Sequence, residues 1–320
     1  MVVMIEQEVI HTNSVSKRIF DFIQNVFEFL IVFLKMLLGA LEAIIETILP
    51  KKLKDVSGEI VLITGAGHGI GRELALHYTA HYSTVVCVDI NEKSNEDTVK
   101  SAKRLNKGAV FSYMCNVTDR EAVLNLANKI KDEVGPVSVL INNAGIMPIN
   151  PLEKQTAEDI RRTFDINVFS HFWTLEAFLP HMKEQNRGHI VAMSSISGIV
   201  GLPNLVPYSA TKFAVRGLME SLYTELRSGP YKNLIKTTTI CPYMTNTGLC
   251  KNAKVRFPSI FGLLDPKEVA AQIVQAQRSD ENEITVPSYW YHVNRFCRLL
   301  PLESAALLMD YVDSGVQAEQ

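Results

Sequence analysis

Thr64-Gly65-Ala66-Gly67-His68-Gly69-Ile70-Gly71 stands directly after the apolar run Ile60-Val61-Leu62-Ile63, and a helical pattern opens at Arg72. An unbroken apolar run of this length reads as a strand covered on both faces, and the glycines at 65, 69 and 71 read as a tight turn into a helix. The same grammar repeats outward from this turn. Strands are predicted over Glu59 to Thr64, Thr84 to Asp89, Ala109 to Met114, Val137 to Asn142, His189 to Met193, Ile235 to Ile240 and Glu283 to Val286, with amphipathic stretches of helical length between them. Such alternation implies an α/β fold, a doubly wound parallel seven-stranded Rossmann-type sheet.

The glycine turn is shaped for a phosphate. Small residues at Gly65, Gly69 and Gly71 let backbone come close to a pyrophosphate, and the helix N-terminus around Ile70 supplies free N–H groups. Asp89 ends the second strand 18 residues after Gly71, where a carboxylate can accept hydrogen bonds from adenosine ribose hydroxyls and would repel a 2'-phosphate. His68 stands where an enzyme binding that phosphate often carries a basic side chain, and no arginine follows Asp89 directly. NAD is therefore expected rather than NADP. Asn91-Glu92-Lys93 follows, so Asp89 also reads as a helix cap, and the two roles are compatible.

Tyr208-Ser209-Ala210-Thr211-Lys212 places a tyrosine and a lysine four residues apart at the start of a predicted helix, on one face. A phenol ordinarily titrates near 10, so acid-base work at neutral pH calls for a nearby cation, and Lys212 is placed to supply it. Two other clusters end strands, Ser194-Ser195-Ile196-Ser197-Gly198 and Asn142-Asn143-Ala144-Gly145. Strand C-termini are where open α/β sheets bind ligands.

From about Gly58 to Pro287 the chain resembles the short-chain dehydrogenase/reductase family, whose TGxxxGxG, NNAG, catalytic serine and YxxxK motifs occur here in order. The resemblance implies Tyr208 as general acid-base, Lys212 as its partner and a ligand of the nicotinamide ribose, and Ser195 as holder of the reacting oxygen. Ser195 is preferred to Ser194 and Ser197 because its distance from Tyr208 and the glycine at 198 match the family register. Asn167, in Phe164-Asp165-Ile166-Asn167-Val168, matches the asparagine that holds a water beside the lysine; a helix-kink residue is the structural alternative. Asn143, Ala144, Gly145 and Thr247 would complete the cofactor site. Asn116 stands where the family commonly has the aspartate that meets adenine, and Pro242-Tyr243 replaces the usual Pro-Gly.

Before the sheet, Phe20 to Leu49 is apolar but broken by Asp21, Asn25, Glu28, Lys35, Glu42 and Glu46. On a helical wheel these six and Gly39 fall within roughly an 80° arc. About 30 such residues are longer than a compact domain buries, so a membrane helix is expected, spanning or lying in the interface. Lys17 and Arg18 before it and Lys51, Lys52 and Lys54 after it suit anionic headgroups, and the acidic Glu6 and Glu8 argue against a cleaved signal. The chain is thus read as an anchor over 1–54, a catalytic domain over 55–288 and an amphipathic tail over 289–320. In that tail Tyr289-Trp290-Tyr291, Arg295-Phe296 and Arg298-Leu299-Leu300 mix aromatic and basic residues as an interfacial anchor or a dimer contact does.

Composition removes other classes. A formal net charge of -2 over 320 residues gives no case for nucleic acid. Five cysteines, Cys87, Cys115, Cys241, Cys250 and Cys297, without paired spacing, read as free thiols, and no metal site is expected. Met244 to Leu264, with Leu249, Val255, Phe257, Ile260, Phe261, Leu263 and Leu264, is predicted to cover a lipophilic substrate. Within the family the chain is similar to a membrane-bound subgroup of retinol dehydrogenases and lipid-droplet 17-beta-hydroxysteroid dehydrogenases. That likeness implies retinol, a hydroxysteroid or a long-chain alcohol as substrate, the endoplasmic reticulum or a lipid droplet as location with the catalytic domain facing the cytosol, and a homo-oligomer. An NADP-dependent retinal reductase and a nucleotide-binding droplet-surface protein with little catalysis are the alternatives.

Overall fold

A computed structural model describes residues 2–48, 52–250 and 252–318. Leu49, Pro50 and Lys51 of the expected anchor lie outside the described residues, as do the side chains before Lys17 and those of Glu42, Glu46 and Ile260. The chain divides into two compact units, Met1–Lys52 and Leu53–Gln320.

The first unit is a single helix, α1 (Val2–Ile48), which starts well before Phe20 because neither proline nor glycine occurs between Val2 and Phe20. Its segment Lys17–Leu41 is 25 residues long and its most apolar stretch reaches a mean hydropathy of 1.7, enough by length and composition to cross a membrane. Phe20, Phe27, Leu30, Leu34 and Leu38 are all exposed.

The second unit is built on strands β1 (Ile60–Thr64), β2 (Thr84–Asp89), β3 (Val110–Met114), β4 (Val139–Asn142), β5 (Gly188–Met193) and β6 (Ile235–Pro242), the short β7 (Ala253–Lys254), and β8 (Glu283–Val286) and β9 (Gly315–Val316). Seven of them form one sheet in the order β3-β2-β1-β4-β5-β6-β8, parallel throughout, while β7 and β9 pair antiparallel on their own. The expected seven-stranded doubly wound sheet is therefore the fold, with strand ends shifted by up to two residues. Its order reverses between β1 and β4, so the crevice outside their carboxyl ends is where such a sheet receives a ligand.

Alternation along β1 separates the two faces. Val61 and Ile63 pack with Leu74 and Tyr78 of α2 (Gly69–Ala80) and Ile273 of α9 (Pro266–Arg278), and Leu62 packs on the other side with Ile130 of α4 (Arg120–Glu133) and Phe178 of α6 (Ser170–Glu184). Burying each such side chain contributes about 1.5–3 kcal/mol. Remaining helices are α3 (Glu92–Lys103), α5 (Ala157–Phe164), α7 (Val206–Ser228), the one-turn α8 (Pro258–Phe261), α10 (Tyr289–Cys297) and α11 (Leu302–Val312). Trp290 of α10 and Val312 of α11 are buried with Cys241 and Ile199.

Candidate active site

Strand β1 delivers the glycine turn to the crevice, and two contacts explain its composition. A Cβ on Gly71 would lie 2.1 Å from the Gly65 carbonyl oxygen, so only glycine lets α2 start this close to the strand end. Gly67 is as tightly placed: its amide donates to Asp89 Oδ2 at 2.8 Å, and a Cβ there would meet Ser94 Oγ at 2.5 Å. Asp89 also accepts from the Asn91 amide through Oδ1 at 2.8 Å, while Asn91, not Asp89, caps α3 by accepting from the Ser94 amide. Both carboxylate oxygens are thereby aimed by backbone donors.

Thr64 ties this turn to the next strand. Its hydroxyl oxygen accepts from the amides of Asn143 and Ala144 at 3.0 and 3.1 Å, and Asn143 Nδ2 donates to the carbonyls of Thr64 and Gly65. The result is a cleft of roughly 270 Å³ whose lining includes Gly65, His68, Gly69, Asp89, Asn116 and Gly145, with Ile70, Asn143, Ala144 and Thr247 also present. Glycines that no Cβ could replace, beside an aimed carboxylate at the end of β2, fit a dinucleotide. His68 is exposed at the N-cap position of α2 without a side-chain capping bond. Asn116 Oδ1, the expected adenine acceptor, accepts instead from the amide and hydroxyl of Thr118 at 3.2 and 2.9 Å.

Helix α7 starts with Pro207 in its first turn, which presets the backbone there, and carries Tyr208 and Lys212 one turn apart. Lys212 Nζ donates to the Met193 carbonyl at 2.8 Å at the end of β5 and lies 5.6 Å from the Tyr208 ring centroid. Both are buried. Burial holds the Tyr208 phenol up at about 12, opposed by the Ser195 side chain, and lowers the Lys212 ammonium to about 8. Desolvation is the largest influence on the phenol in this arrangement, and Ser195 is the side chain that opposes it.

Ser195 accepts from the Ser197 amide at 3.1 Å, capping the short turn Ile196–Gly198. Ser194 is buried and donates to the Lys212 carbonyl at 2.8 Å, and a Cβ on Gly198 would fall 2.4 Å from Ser194 Oγ. The serine cluster thus locks α7 against β5 while Ser195 faces Tyr208. Asn167 sits in a π-helical turn, Asp165–Phe169, between α5 and α6. It accepts from the Ile146 amide at 2.9 Å and donates to the Ile146 carbonyl at 2.9 Å and to Thr211 Oγ1 at 3.1 Å. It is at once a kink residue and a fixture of the loop beside Lys212. A Cβ on Gly145 would reach within 3.7 Å of Lys212 Nζ.

A short chain dehydrogenase family model matches residues 59–256. The chain belongs to that family. This short-chain dehydrogenase is 40% identical over 278 residues to human epidermal retinol dehydrogenase 2, covering 87% of the chain and 90% of the relative. It is 37% identical over 286 residues to human 17-beta-hydroxysteroid dehydrogenase 13, covering 88% and 93%. A solved short chain dehydrogenase/reductase from Burkholderia phymatum, in complex with NAD, superposes with a TM-score of 0.68 at 26% identity over 76% of the chain and 94% of its own. A metagenomic short-chain oxidoreductase in complex with NADP shares the fold at 23% identity, with a TM-score of 0.61 over 72% of this chain and 97% of its own.

The short-chain dehydrogenase has a second, smaller cavity of about 90 Å³ beside Tyr208 and Ser195, and Ile70, Thr247 and Leu249 line both cavities. Of the expected lid, Leu249 reaches this cavity together with Met244 and Cys250. Phe257 and Phe261 turn elsewhere: Phe261 lies 5.7 Å from the Trp290 ring and Phe257 5.6 Å from that of Tyr311. Tyr243, at the departure from Pro-Gly, lines the cavity and stacks on Trp290 at 5.6 Å. Gly67 and Val316 are site residues that the motifs do not single out, whereas Thr64 opens the glycine motif. Gly67 carries a visible signal as a fourth glycine in the turn, whereas nothing local marks Val316.

Proposed function

We propose that this protein transfers a hydride between NAD and a lipophilic secondary or allylic alcohol or its carbonyl, with retinol, a hydroxysteroid or a long-chain alcohol as the substrate class. One observation carries the reading: the cavity holding Tyr208 and Ser195 and the cleft holding Asp89 share Ile70, Thr247 and Leu249 as a common wall. A reacting carbon and a nicotinamide ring could meet there. The names of the relatives, retinol and 17-beta-hydroxysteroid dehydrogenases, support the lipophilic substrate.

Asp89 would receive the adenosine ribose, the backbone of Gly65, Gly69 and Ile70 the pyrophosphate, and Asn143 to Gly145, Lys212 and Thr247 the nicotinamide half. Bound NAD would supply the hydride acceptor in oxidation, and NADH the donor in reduction. Ser195 would hold the substrate oxygen by hydrogen bonding. Tyr208 as phenolate would take the alcohol proton in oxidation and as phenol would return it to the developing alkoxide in reduction. Lys212 would favour the phenolate through its charge, and Asn167 would fix the loop at Ile146 beside it. The apolar wall of Leu205, Met244 and Leu249 would exclude water from the reacting centre.

α1 supports attachment to a membrane; the endoplasmic reticulum or a lipid droplet as that membrane, with the catalytic unit on the cytosolic side, is proposed from the likeness to the membrane-bound subgroup alone. Exposed Phe296, Leu299, Leu302 and Leu307 beside Arg295 support a further interfacial contact by α10 and α11. A homo-oligomer fits the family. The deciding experiment is nicotinamide absorbance with detergent-solubilised protein, comparing NAD and NADP with all-trans-retinol, estradiol and a long-chain alcohol. Reduction of NAD that Tyr208→Phe abolishes is the expected result. Preference for NADP would overturn the cofactor, and NADH binding without turnover of any pair would leave a nucleotide-binding surface protein.

A further inference from the structure

The cavity beside Tyr208 has a wall from a distant part of the chain. β9 pairs with β7 through Val316 opposite Ala253 and Gly315 opposite Lys254, and Val316 is 6% exposed, packed in one cluster with Ile149, Leu205 and Tyr208. Its backbone is held from two sides. Asn204 Nδ2, in the loop leading into α7, donates to the Val316 carbonyl at 3.0 Å, and the Gln317 amide donates to the Asn252 carbonyl at 3.1 Å. An ion pair, Lys254 to Asp313 at 2.7 Å, closes the same ribbon at the surface.

We infer that Val316 is a specificity-determining residue, the wall that sets how much of a lipophilic alcohol reaches Tyr208. The inference rests on the reading of Tyr208 as the acid-base at this cavity. Size makes the argument. The cavity encloses about 90 Å³, whereas sites that hold a drug-sized ligand enclose about 300–1,000 Å³. A bulky substrate can seat only its carbinol end unless a wall gives way, and the walls differ in how firmly they are held. Ser195 and Tyr208 are anchored on β5 and α7 at the centre of the sheet. Val316 belongs to a two-stranded ribbon two residues long, tied to the rest of the unit through the Asn204 bond and its packing in the cluster, a lighter hold than that of a central strand. Val316 is therefore the side chain whose size and position limit the pocket.

The wall acts on the substrate and not on the cofactor, because Val316 lines the cavity of Tyr208 and is absent from the lining of the dinucleotide cleft. The test uses the detergent-solubilised full chain, Val316→Ala and Val316→Phe, and a series of secondary alcohols from short aliphatic to steroid-sized. Val316→Ala should raise kcat/KM for the bulkiest alcohols by about tenfold relative to the shortest, and Val316→Phe should lower it by a similar factor, as changes of a few methylenes in an apolar pocket do. KM for NAD should stay unchanged in both. An unaltered ratio across the size series in both variants overturns the inference.

A readout independent of turnover separates this failure from failure of the underlying reading. Cys250 is half-buried and packs against the same cluster as Val316. Its alkylation by a bulky lipophilic maleimide, located by mass spectrometry, should speed up severalfold in Val316→Ala. If the wild-type chain oxidises no alcohol, the proposed reaction is wrong and the alkylation rate still decides whether Val316 walls the cavity: no change in that rate overturns the wall.

Discussion

The Gly67 amide donates to Asp89 Oδ2 at 2.8 Å, so the carboxylate expected to meet the cofactor is itself positioned by the turn expected to hold the pyrophosphate. A second amide, that of Asn91, fixes the other oxygen. Binding and folding therefore depend on the same group. Asp89→Asn retains one acceptor and removes the charge. It should lower the ratio of kcat/KM with NAD to that with NADP by about tenfold or more, and cost about 1–3 kcal/mol of stability through the weakened bonds. Paired cofactor kinetics and denaturant unfolding measure the two effects.

Gly71→Ala tests the close approach of α2 to the end of β1. Its Cβ would sit 2.1 Å from a backbone carbonyl and 2.6 Å from Asn143 Nδ2, neither of which is the free end of a flexible chain. The helix start must shift. We expect a loss of about 1–3 kcal/mol in unfolding experiments, accompanied by weaker NADH binding in a fluorescence titration.

Tyr208→Phe removes one hydroxyl from a buried ring and leaves the cleft lining intact. Turnover should fall by about 10²–10⁴, while the Kd for NADH stays close to wild type. Lys212→Ala should weaken both, because the lysine is proposed to serve the nicotinamide ribose as well as the phenol. Parallel kinetics and NADH titration distinguish the two variants.

His189 predicts how the fold responds to acid. Its side chain is 2% exposed, Nδ1 receives the Lys54 ammonium at 3.0 Å and Nε2 faces Thr238 Oγ1 at 2.7 Å. Lys54 can only donate, so the ring is neutral with its proton on Nε2. Burial lowers its pKa to about 4. Between about 6.5 and 4 the unfolded chain binds a proton that the folded chain does not, so stability is complete above that window and falls as pH falls through it. The total from this group is about 3 kcal/mol at the acid end. Chemical denaturation at a series of pH values should show that slope, and His189→Gln should flatten it.

Legibility followed distance along the chain. The strand β1, the glycine turn and α2 are neighbours, so their contacts are encoded in one consecutive stretch, Ile60 to Ala80. Tyr208 and Lys212 share a face because four residues make about one helical turn. Apolar lid residues were legible as apolar but not as to destination. Leu249 reaches the cavity of Tyr208, whereas Phe257 and Phe261 pack with aromatic side chains of α10 and α11, a choice made between equally greasy alternatives. Asn167 lies in a π-helical turn, as the kink reading expects, and its side chain bonds the loop at Ile146, a contact that its motif did not suggest.

The amino-acid sequence by itself determined the parallel sheet, the phosphate turn, the tyrosine-lysine face and the apolar rod of α1, because each rests on periodicity or spacing within one or two elements. Only the tertiary structure decided that burial raises the Tyr208 phenol and lowers the Lys212 ammonium, and that Val316 lines the cavity beside them. Desolvation depends on everything packed around a group, and the wall joins residues more than a hundred positions apart, so no local pattern encodes either.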